Sequence, residues 1–497
     1  MKANGQSVIQ RFTLLAIFLL GIGIRLYDLT DPPLDFHPAR QLRSALIARS
    51  VYYQLNSNVS PSLREQAASL ADLEMYEPPI LETLVGATYL VIGSEQLWIA
   101  RIYLAVFWAV GGLALLAILR RYTSLWAALL GLAFYFFIPF SVIASRSFQP
   151  DPWMIMWILL ATHAALRWSE THTWKWAILV AILSAIALLV KIVAGFFIGA
   201  VLIAIAIQTY GFKRMLQTAQ VWVIAILTLL PSAVYYWLLN PQRSSGFMAF
   251  WTGSLAHLVL TSNFYADWLA MIKGLTSLPI FVAALLGSLI IPKKIKLTVF
   301  GLWVGYFVYG MVFPYQYTTH EYYHLPLIAL IAISLPPLLD VFFSSLKTQP
   351  WHSHVLASLI LICSVGYSLW VARSVLYASD YRHEPISWQR VGQAIPANAK
   401  VIALTGDYGM RLRYYGWTKA SAHWATQADS NLFSLAGNNT HNDVEHFAEM
   451  AHDMDYFLVT AFHELDSQPA LRKQLEALPI FAQGDGYILF DLKHPVQ

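Results

Sequence analysis

The sequence predicts a mainly α-helical protein that crosses a membrane many times and ends in a small α/β domain. Of its 497 residues, 57% are hydrophobic and only 12% are charged, whereas an ordinary soluble domain has about 25% charged residues. Apolar stretches of about 20 residues, each long enough to cross the core of a bilayer, recur along the chain. Aromatic residues make up 14%, including 18 tryptophans, as expected where interfacial belts anchor many spans. These observations predict a polytopic membrane helical bundle.

The N-terminal segment resembles a signal peptide, because Lys2 and Arg11 precede an apolar run at 12–24. No small-residue cleavage site follows, and Arg25 comes instead, so an uncleaved first span is predicted. The single cysteine, Cys363, excludes an intramolecular disulfide. The net charge of +4 is small, and no nucleic-acid partner is expected.

Hydropathy predicts eleven spans, and the placement of basic residues orients them. The spans lie near 12–28, 98–119, 124–143, 152–168, 175–190, 192–209, 219–239, 268–291, 297–314, 324–343 and 354–375. Alternate short loops hold Arg120, Arg121, Lys175, Lys213, Arg214, Lys293, Lys294, Lys296 and Lys347. The positive-inside rule places these loops and the N-terminus in the cytoplasm. The C-terminal segment is then on the outer face of a cell inner (plasma) membrane.

Three outer segments follow from this topology: a long loop at 30–97, a medium loop at 240–267 and a tail at 376–497. The long loop contains two amphipathic patterns, Pro38–Gln54 and Leu63–Leu73, which predict juxtamembrane helices. The tail alternates helical runs with short β-type runs at Lys400–Leu404, Tyr456–Thr460 and Tyr487–Asp491, which predicts a small α/β domain with a partly parallel sheet. The predicted domains are a transmembrane domain at 1–375 and a soluble outer domain at 376–497.

The first outer loop concentrates ionisable residues where a plain linker would need none. Asp35 follows Pro32-Pro33-Leu34, a stiff approach that holds its carboxylate close to the membrane. Such a carboxylate is a candidate general base or metal ligand, and the alternative is an N-cap of the next helix. Arg40 and Arg43 are candidates to clamp a phosphate, or else they contact anionic lipid headgroups.

Two further outer turns carry candidate residues. Arg146 and Asp151 lie in the turn between the third and fourth spans. Asp151 is either a second acid facing the outer cavity or another helix cap. Lys191 interrupts an apolar run, so it either faces a polar cavity or snorkels to the surface.

The segment 318–326 contains His320-Glu321-Tyr322-Tyr323-His324, formally the His-Glu-Xaa-Xaa-His pattern of zinc peptidases. That pattern needs both histidines on one face of a helix. Because Pro326 favours the first turn of a helix, His320–His324 are expected to precede the helix and to lack that geometry. The preferred interpretation is a rim in which His320, Tyr322 and Tyr323 contact an anionic ligand. The alternative is an ordinary aromatic belt.

Taken in order, these positions resemble the GT-C superfamily of membrane glycosyltransferases, in particular the branch of protein O-mannosyltransferases and bacterial aminoarabinose transferases. The resemblance spans about residues 10–375. It rests on Asp35, Tyr76-Glu-Pro-Pro-Ile80, Ile99-Ala-Arg-Ile102, Ser145-Arg-Ser-Phe-Gln-Pro-Asp151, Lys191 and His320-Glu-Tyr-Tyr-His-Leu-Pro326.

The resemblance implies transfer of a sugar from a polyprenyl-phosphate-linked donor to a hydroxyl of an envelope acceptor at the outer face, with inversion. Asp35 is then the general base, and Asp151 assists the acceptor or a divalent metal ion, the candidate cofactor held by Asp35 and Asp151. Substrate-binding candidates are Arg40, Arg43, Glu77, Arg146, Lys191, His320, Tyr322 and Tyr323. Many members have an adjacent acidic pair in the first loop, but Phe36 and His37 follow Asp35 here. Glu77 is the candidate for the missing acid.

Two other classes of function compete with a transferase. A transporter or flippase of lipid-linked saccharides would need charged residues through the midplane and often internal symmetry. A silent scaffold would use the outer tail to bind envelope components. Because the ionisable groups gather at the outer ends of the spans, the sequence favours an enzyme with a one-sided cleft.

Overall fold

The computed structural model describes residues 2–73, 77–241, 246, 248–437 and 443–494. Helices dominate, as the sequence predicts, and the strands are confined to the C-terminal part. The chain divides into two compact units. The first comprises Met1–Leu29, Met75–Ile80 and Trp98–Ser379, and the second comprises Thr30–Glu74, Leu81–Leu97 and Asp380–Gln497. We call the first the membrane unit and the second, after the membrane side that the sequence predicts for it, the outer unit, and we describe each by itself.

The membrane unit is a bundle of helices with short π and 3-10 segments. Its α-helices are α1 (Lys2–Arg25), α5 (Trp98–Leu119), α6 (Leu125–Phe137), α7 (Pro139–Ala144), α8 (Pro150–Thr171), α9 (Trp174–Val190), α10 (Ala194–Gln217), α11 (Ala219–Ala233), α12 (Ser262–Thr276), α13 (Leu278–Ile290), α14 (Lys293–Val312), α15 (Pro314–Thr319), α16 (Leu325–Ser334), α17 (Pro336–Leu346) and α18 (Trp351–Ala378). The shorter segments are π-helices at Val234–Leu239 and Ala249–Ser254 and 3-10 helices at Ala256–Leu260 and Glu321–His324.

Each predicted span coincides with one of these helices or with a consecutive pair. Among the described residues, seven helical segments are long and apolar enough to cross a membrane. The pair α12 and α13 would be an eighth, but it is bent by 96°, whereas the sequence predicts one continuous span at 268–291. Ser277 lies at the bend with φ 64°, outside helical geometry. The count of eleven spans itself stays a prediction.

Close helix approach in the membrane unit depends on small residues. Gly301 and Gly305 of α14 face α10, and an added Cβ would lie 2.8 Å from the Ala200 carbonyl oxygen and 2.7 Å from that of Phe196. Such distances leave no room for a side chain. Inside a membrane, packing rather than water expulsion drives helix association, so small residues at the contact are favoured.

Arg25, at the end of α1, is fully buried and joins α1 to the break between α6 and α7. Its Nε donates to the Ser145 hydroxyl at 2.6 Å, and its Nη1 donates to the carbonyl oxygens of Gly21 at 2.7 Å and Phe136 at 3.0 Å. Its Nη2 donates to the Ser141 hydroxyl at 3.1 Å. The carbonyls freed where α6 ends thus gain donors that water would supply in a soluble protein.

Two more buried arginines hold the chain just after α1. Arg146 donates to the carbonyl oxygens of Tyr27 at 2.5 Å and Asp28 at 3.0 Å. Arg101 donates to that of Leu29 at 2.9 Å. The peptide stretch from which the first outer loop leaves the membrane unit is therefore fixed by guanidinium groups on α5 and on the turn before α8.

The outer unit combines the helices of the loop at 30–97 with the C-terminal α/β fold. Its helices are α2 (Pro38–Leu55), α3 (Pro61–Leu70), α4 (Ile80–Ile92), α19 (Glu384–Ala394), α20 (Met410–Tyr415), α21 (Gln427–Leu435), α22 (Asp443–Ala451), α23 (Phe462–Asp466) and α24 (Pro469–Glu476). Its strands are β1 (Val401–Leu404), β2 (Ala422–His423), β3 (Tyr456–Val459), β4 (Ile480–Gly484) and β5 (Tyr487–Asp491). The two amphipathic helices and the α/β character of the tail are confirmed.

The sheet has the order β2-β1-β3-β5-β4. β1 pairs in parallel with β2 and β3, while β5 pairs antiparallel with β3 and β4, which confirms the partly parallel sheet. Residues of β1 alternate between two buried cores, with Ile402 and Leu404 in one and Val401 and Ala403 in the other. Burial on both faces explains why β1 is a continuous apolar run rather than an alternating one.

Within the outer unit, Arg49 of α2 is clamped by residues from distant parts of the sequence. Its guanidinium lies 3.8 Å from the ring centre of Tyr414 and 4.3 Å from that of Trp417, and it forms an ion pair with Glu95 at 3.0 Å. Burial disfavours the charged form, but Tyr414 and Glu95 outweigh it and raise the pKa of Arg49. The C-terminal fold and the helices of the first loop thus form one body.

Replacing Arg25 with methionine should strongly destabilise the membrane unit, because buried carbonyl and hydroxyl oxygens would lose their donors. We expect a loss of about 3 kcal/mol or more in the free energy of unfolding, measured in detergent by thermal or denaturant unfolding. The matched control is Arg11→Met on the exposed part of the same helix, which should change stability by no more than about 0.5 kcal/mol. Equal effects of the two substitutions would contradict this role.

Candidate active site

Asp151 and Lys191 form a buried ion pair at the centre of the candidate site. Asp151 is the second residue of α8, and Lys191 directly follows α9, where the chain becomes extended before α10. The Lys191 ammonium donates to Asp151 Oδ1 at 2.7 Å, and the two side chains are 4% and 1% exposed. The N-cap position of α8 belongs to Gln149, so Asp151 does not cap that helix. Lys191 faces Asp151, which supports the polar-cavity interpretation over snorkelling.

Two tyrosines cover the Lys191 ammonium. Its Nζ lies 5.2 Å from the ring centre of Tyr322 and 5.1 Å from that of Tyr323, within the range of a cation–π contact. Tyr323 stacks on Tyr309 of α14 at 5.5 Å. The predicted partners Asp151, Lys191, Tyr322 and Tyr323 are therefore brought together, although they come from three separate stretches of the sequence.

The second oxygen of Asp151 is left open. Its Oδ2 is buried, and the described part of the chain gives it no hydrogen-bond partner. The hydroxyl of Tyr309, whose electrostatic partners include Asp151, is likewise buried and without a hydrogen bond among the described residues. Buried polar atoms are nearly always satisfied in folded proteins, so an open carboxylate oxygen beside a lysine is a typical feature of a binding site.

The segment His320–His324 does not have the geometry of a zinc peptidase. His320 is extended, and Glu321–His324 form a single 3-10 turn, so the two histidines do not share the face of one α-helix. The His324 ring is bonded on both sides, to the Tyr306 hydroxyl at 2.6 Å and to the Tyr317 carbonyl oxygen at 2.8 Å. Its role is to anchor the turn that carries Tyr322 and Tyr323.

Glu77 belongs to the membrane unit and lies near Tyr236. Its charge acts on the Tyr236 hydroxyl, which also faces the backbone of Ile192, the residue after Lys191. Tyr236 stands in the π-helix Val234–Leu239, and π-helical turns occur frequently at functional sites. This places Glu77 in the neighbourhood of the break between α9 and α10.

Arg146 has a contact that the sequence does not predict. Its donors to Tyr27 and Asp28 tie the end of α1 to the turn before α8, five residues before Asp151. This is a positioning contact within the membrane unit, and the predicted contact of Arg146 with substrate stays a prediction.

The remaining predicted residues belong to the outer unit. Asp35 is half-buried and accepts a hydrogen bond from Gln41 at 3.3 Å. The N-cap position of α2 is occupied by His37, which has a left-handed backbone with φ 46°, so Asp35 is not the cap of this helix. Arg40 and Arg43 are half-buried on the first two turns of α2. Their roles, and that of Asp35, stay predictions.

Sequence reasoning missed a buried acid in the outer unit. Glu82 of α4 accepts a hydrogen bond from the Ser44 hydroxyl of α2 at 2.8 Å, and both residues are buried. The signal was available, because an acid in the first turn of an otherwise apolar helix needs a partner. Tyr309 was missed for another reason, since an aromatic residue in an apolar span is indistinguishable from packing until its neighbours are known.

The described residues offer little to a metal ion. No group of three or more His, Cys, Asp or Glu side chains among them is arranged to hold a cation. In the membrane unit, Asp151 already pairs with Lys191, and an ammonium at 2.7 Å competes with a cation for that oxygen. The divalent metal ion suggested at Asp35 and Asp151 therefore stays a prediction.

Comparisons with known proteins agree with this architecture. Residues 76–237 match the family model described as dolichyl-phosphate-mannose-protein mannosyltransferase, about a third of the chain. The crystal structure of ArnT from Cupriavidus metallidurans bound to undecaprenyl phosphate is similar, with a TM-score of 0.53, 14% identity, and coverage of 99% of this chain and 98% of that one. A search of curated protein sequences finds no match.

A second group of similar structures comes from Archaeoglobus fulgidus. An oligosaccharyltransferase in complex with zinc and sulfate has a TM-score of 0.57 at 12% identity, with 90% of this chain and 68% of that chain covered. The archaeal oligosaccharyltransferase AglB with an inhibitory peptide and a dolichol-phosphate has a TM-score of 0.51 at 10% identity, with coverage of 90% and 69%. At these identities the similarity establishes the fold.

The chain is therefore an integral membrane protein with the GT-C fold and a small C-terminal sheet. The family model and these structures confirm the resemblance to the GT-C membrane glycosyltransferases. The fold is like that of ArnT.

Removing one partner of the Asp151–Lys191 pair should leave an uncompensated buried charge. We expect Lys191→Met and Asp151→Asn each to lower the free energy of unfolding by about 3–5 kcal/mol. The double variant should lose clearly less than the sum, because no lone charge remains. Unfolding in detergent measures all three.

The control for this cycle is Arg167→Met on the same helix α8, where an exposed pair with Glu170 should contribute about 1 kcal/mol or less. Strict additivity of the Lys191 and Asp151 effects would show that the two charges are not coupled.

Proposed function

We propose that this protein is a GT-C glycosyltransferase that moves a sugar from a polyprenyl-phosphate-linked donor to a hydroxyl of a cell-envelope acceptor, namely a lipid, a glycan or a protein. The observation that carries the proposal is the buried Asp151–Lys191 pair beneath Tyr322 and Tyr323, in a membrane unit with the GT-C fold. Relatives in this fold, by their names, transfer mannose or oligosaccharides and bind undecaprenyl or dolichol phosphate.

The reaction we propose is a single displacement at the anomeric carbon. The acceptor hydroxyl oxygen attacks that carbon, and its proton passes to the carboxylate of Asp35. The bond between the anomeric carbon and the phosphate oxygen breaks, and its electron pair leaves with the phosphate. Attack opposite the leaving group inverts the anomeric centre. A positioned base for such a proton contributes typically about 10²–10⁴-fold in rate.

Asp151 and Lys191 have complementary roles in this proposal. The open Oδ2 of Asp151 accepts a hydrogen bond from the acceptor hydroxyl or from a sugar hydroxyl, which would satisfy an otherwise unsatisfied buried atom. Lys191, held by Oδ1, orients Asp151 and keeps a positive charge near the phosphate on which negative charge develops. Such fixed charges act strongly in a site that excludes water.

Tyr322 and Tyr323 fit the role that the sequence suggests for them, a rim that contacts an anionic ligand. Their rings cover Lys191, and in the proposed complex a tyrosine hydroxyl would donate a hydrogen bond to the phosphate. His320, beside Tyr322 at 5.6 Å between ring centres, completes this rim. Glu77, near Tyr236, is the proposed second acid of the site.

An aromatic cavity in the membrane unit suits the polyprenyl chain of the donor. Its volume is about 530 Å³. It is lined by Tyr265, Trp268, Leu269, Ile272, Phe281, Leu285, Phe300, Trp303, Val304, Tyr306 and Phe307. At one end, Tyr306 is hydrogen-bonded to His324, which belongs to the turn carrying the tyrosine rim. The cavity therefore runs from that turn into the lipid-facing surface between α12, α13 and α14.

We further propose that the active face is the outer one and that the protein resides in the cell inner membrane, with its N-terminus in the cytoplasm. The support is the alternation of basic loops along the sequence. The transferred sugar in this proposal is a hexose or a pentose.

Asp35→Asn should abolish sugar transfer, because an amide cannot take the acceptor proton. We expect a loss of about 10³-fold or more in kcat with little change in KM for the donor, measured with purified enzyme and radiolabelled polyprenyl-phosphate sugar. Asp72→Asn, an exposed acid of the same loop, is the control and should keep activity.

Full activity of the Asp35→Asn variant would refute Asp35 as the base. Movement of donor across liposomes without a transfer product would instead support the transporter hypothesis.

Phe300→Ala should weaken the binding of long-chain donors only. Loss of an aromatic ring from the cavity wall should raise KM for a long polyprenyl-phosphate sugar about tenfold, while KM for a short-chain analogue stays unchanged. Phe342→Ala, another exposed phenylalanine that does not line this cavity, is the control. An equal effect on long and short donors would remove the cavity from the proposal.

A further inference from the structure

A second cavity in the membrane unit is unrelated to the candidate site. It lies between α1, α6, α17 and α18 and has a volume of about 880 Å³. Its walls are built by Thr13, Ala16, Ile17, Leu20, Ser124, Trp126, Leu129, Leu130, Ala133, Phe137, Asp340, Phe343, Ser344, Leu346, Lys347, His354, Ser358, Leu361, Ile362 and Val365. We call it the α1–α18 crevice. Its size falls within the range of about 300–1,000 Å³ that is typical of small-molecule sites.

The polarity of the α1–α18 crevice changes along its length. Ser344 follows Asp340 by four residues, and Lys347 follows Ser344 by three. This spacing places all three on one face of α17, with Lys347 just past its end. His354 and Ser358 share one face at the start of α18 in the same way. The far end contains only apolar groups, among them Leu20, Phe137 and Val365. The crevice therefore has a polar mouth and a hydrocarbon-like body.

Among the residues that the structure describes, the charged groups at the mouth are only partly paired. Asp340 accepts a hydrogen bond from the backbone nitrogen of Ser124 at 3.0 Å, at the N-terminus of α6, where the helix dipole favours an anion. Lys347 has no ion-pair partner in the part of the chain that the structure describes, and its side chain is exposed. What the mouth lacks is an anion for Lys347.

We propose that the α1–α18 crevice binds one glycerophospholipid, with its phosphate at Lys347 and His354 and an acyl chain along the apolar walls. Glycerophospholipids form the bulk of a bilayer and join an anionic head to an acyl chain, and basic residues between helices at a membrane surface are typical of lipid-headgroup recognition. The alternation of basic loops assigns the mouth to the cytoplasmic leaflet. This site is separate from the proposed donor site, so its test does not depend on transfer activity.

The aromatic cavity at α12–α14 differs from the α1–α18 crevice in the charge of its walls. It contains no charged residue in its wall, whereas the α1–α18 crevice has Asp340 and Lys347 at one end. The aromatic cavity therefore suits a polyprenyl chain whose phosphate lies outside the cavity. The α1–α18 crevice suits a whole lipid whose phosphate lies at the charged mouth.

The test uses native mass spectrometry of the full-length protein, delipidated in detergent and titrated with phosphatidylglycerol. Wild-type protein should bind one lipid that survives detergent washing. Ser358→Trp, which fills the crevice with an indole, should abolish this binding. The matched control is Ser364→Trp, an exposed serine on the same helix that does not line the crevice, and it should retain the lipid.

A charge variant makes the test independent of packing. Lys347→Glu, at the exposed mouth, should weaken lipid binding by about fivefold or more. Lys213→Glu, at an exposed lysine outside the crevice, should leave lipid binding unchanged.

Equal binding by Ser358→Trp and Ser364→Trp would overturn the proposal. So would displacement of the lipid by an equimolar amount of undecaprenyl phosphate, which would identify the occupant as a polyprenyl chain.

Discussion

A backbone carbonyl that loses its helical partner inside a bilayer finds no water to replace it, and this constraint underlies the membrane unit. The unit contains several broken helices, so it needs internal donors at each break. Arg25 supplies them between α6 and α7, and Arg101 and Arg146 supply them after α1. A guanidinium suits this task because it carries five N–H donors in a fixed plane.

The same breaks create the candidate site. Asp151 stands in the first turn of α8, Lys191 at the break between α9 and α10, and Tyr322 in the 3-10 turn before α16. At these interruptions the side chains of Asp151, Lys191 and Tyr322 approach one another. The cost of burying Lys191 and Asp151 is offset by their mutual contact. Stability and chemistry therefore depend on the same interruptions of regular structure.

Much of the architecture could be predicted from the sequence because it depends on local patterns. Hydropathy located helices at every predicted span, and the strands β1, β3 and β5 were predicted within one residue. β2 was missed because two residues give too little pattern to recognise. β4 was missed because its residues are mostly exposed and do not form an apolar run. The bend of 96° between α12 and α13 was missed, although Gly274, Ser277 and Pro279 beside it are signals of a helix break. The capping alternatives for Asp35 and Asp151 were wrong, because His37 and Gln149 occupy those positions.

By itself the sequence determined the class of protein, the helical spans, the α/β character of the tail and a short set of candidate residues. Each of these follows from composition or from periodicity along neighbouring residues. Only the tertiary structure decided that Lys191 pairs with Asp151, forty residues away, and that Arg49 is held between Tyr414 and Trp417. It also assigned most of the first loop and the C-terminal fold to one compact unit. Such contacts depend on how helices pack against one another, and no local pattern encodes which distant side chain will neutralise a buried charge.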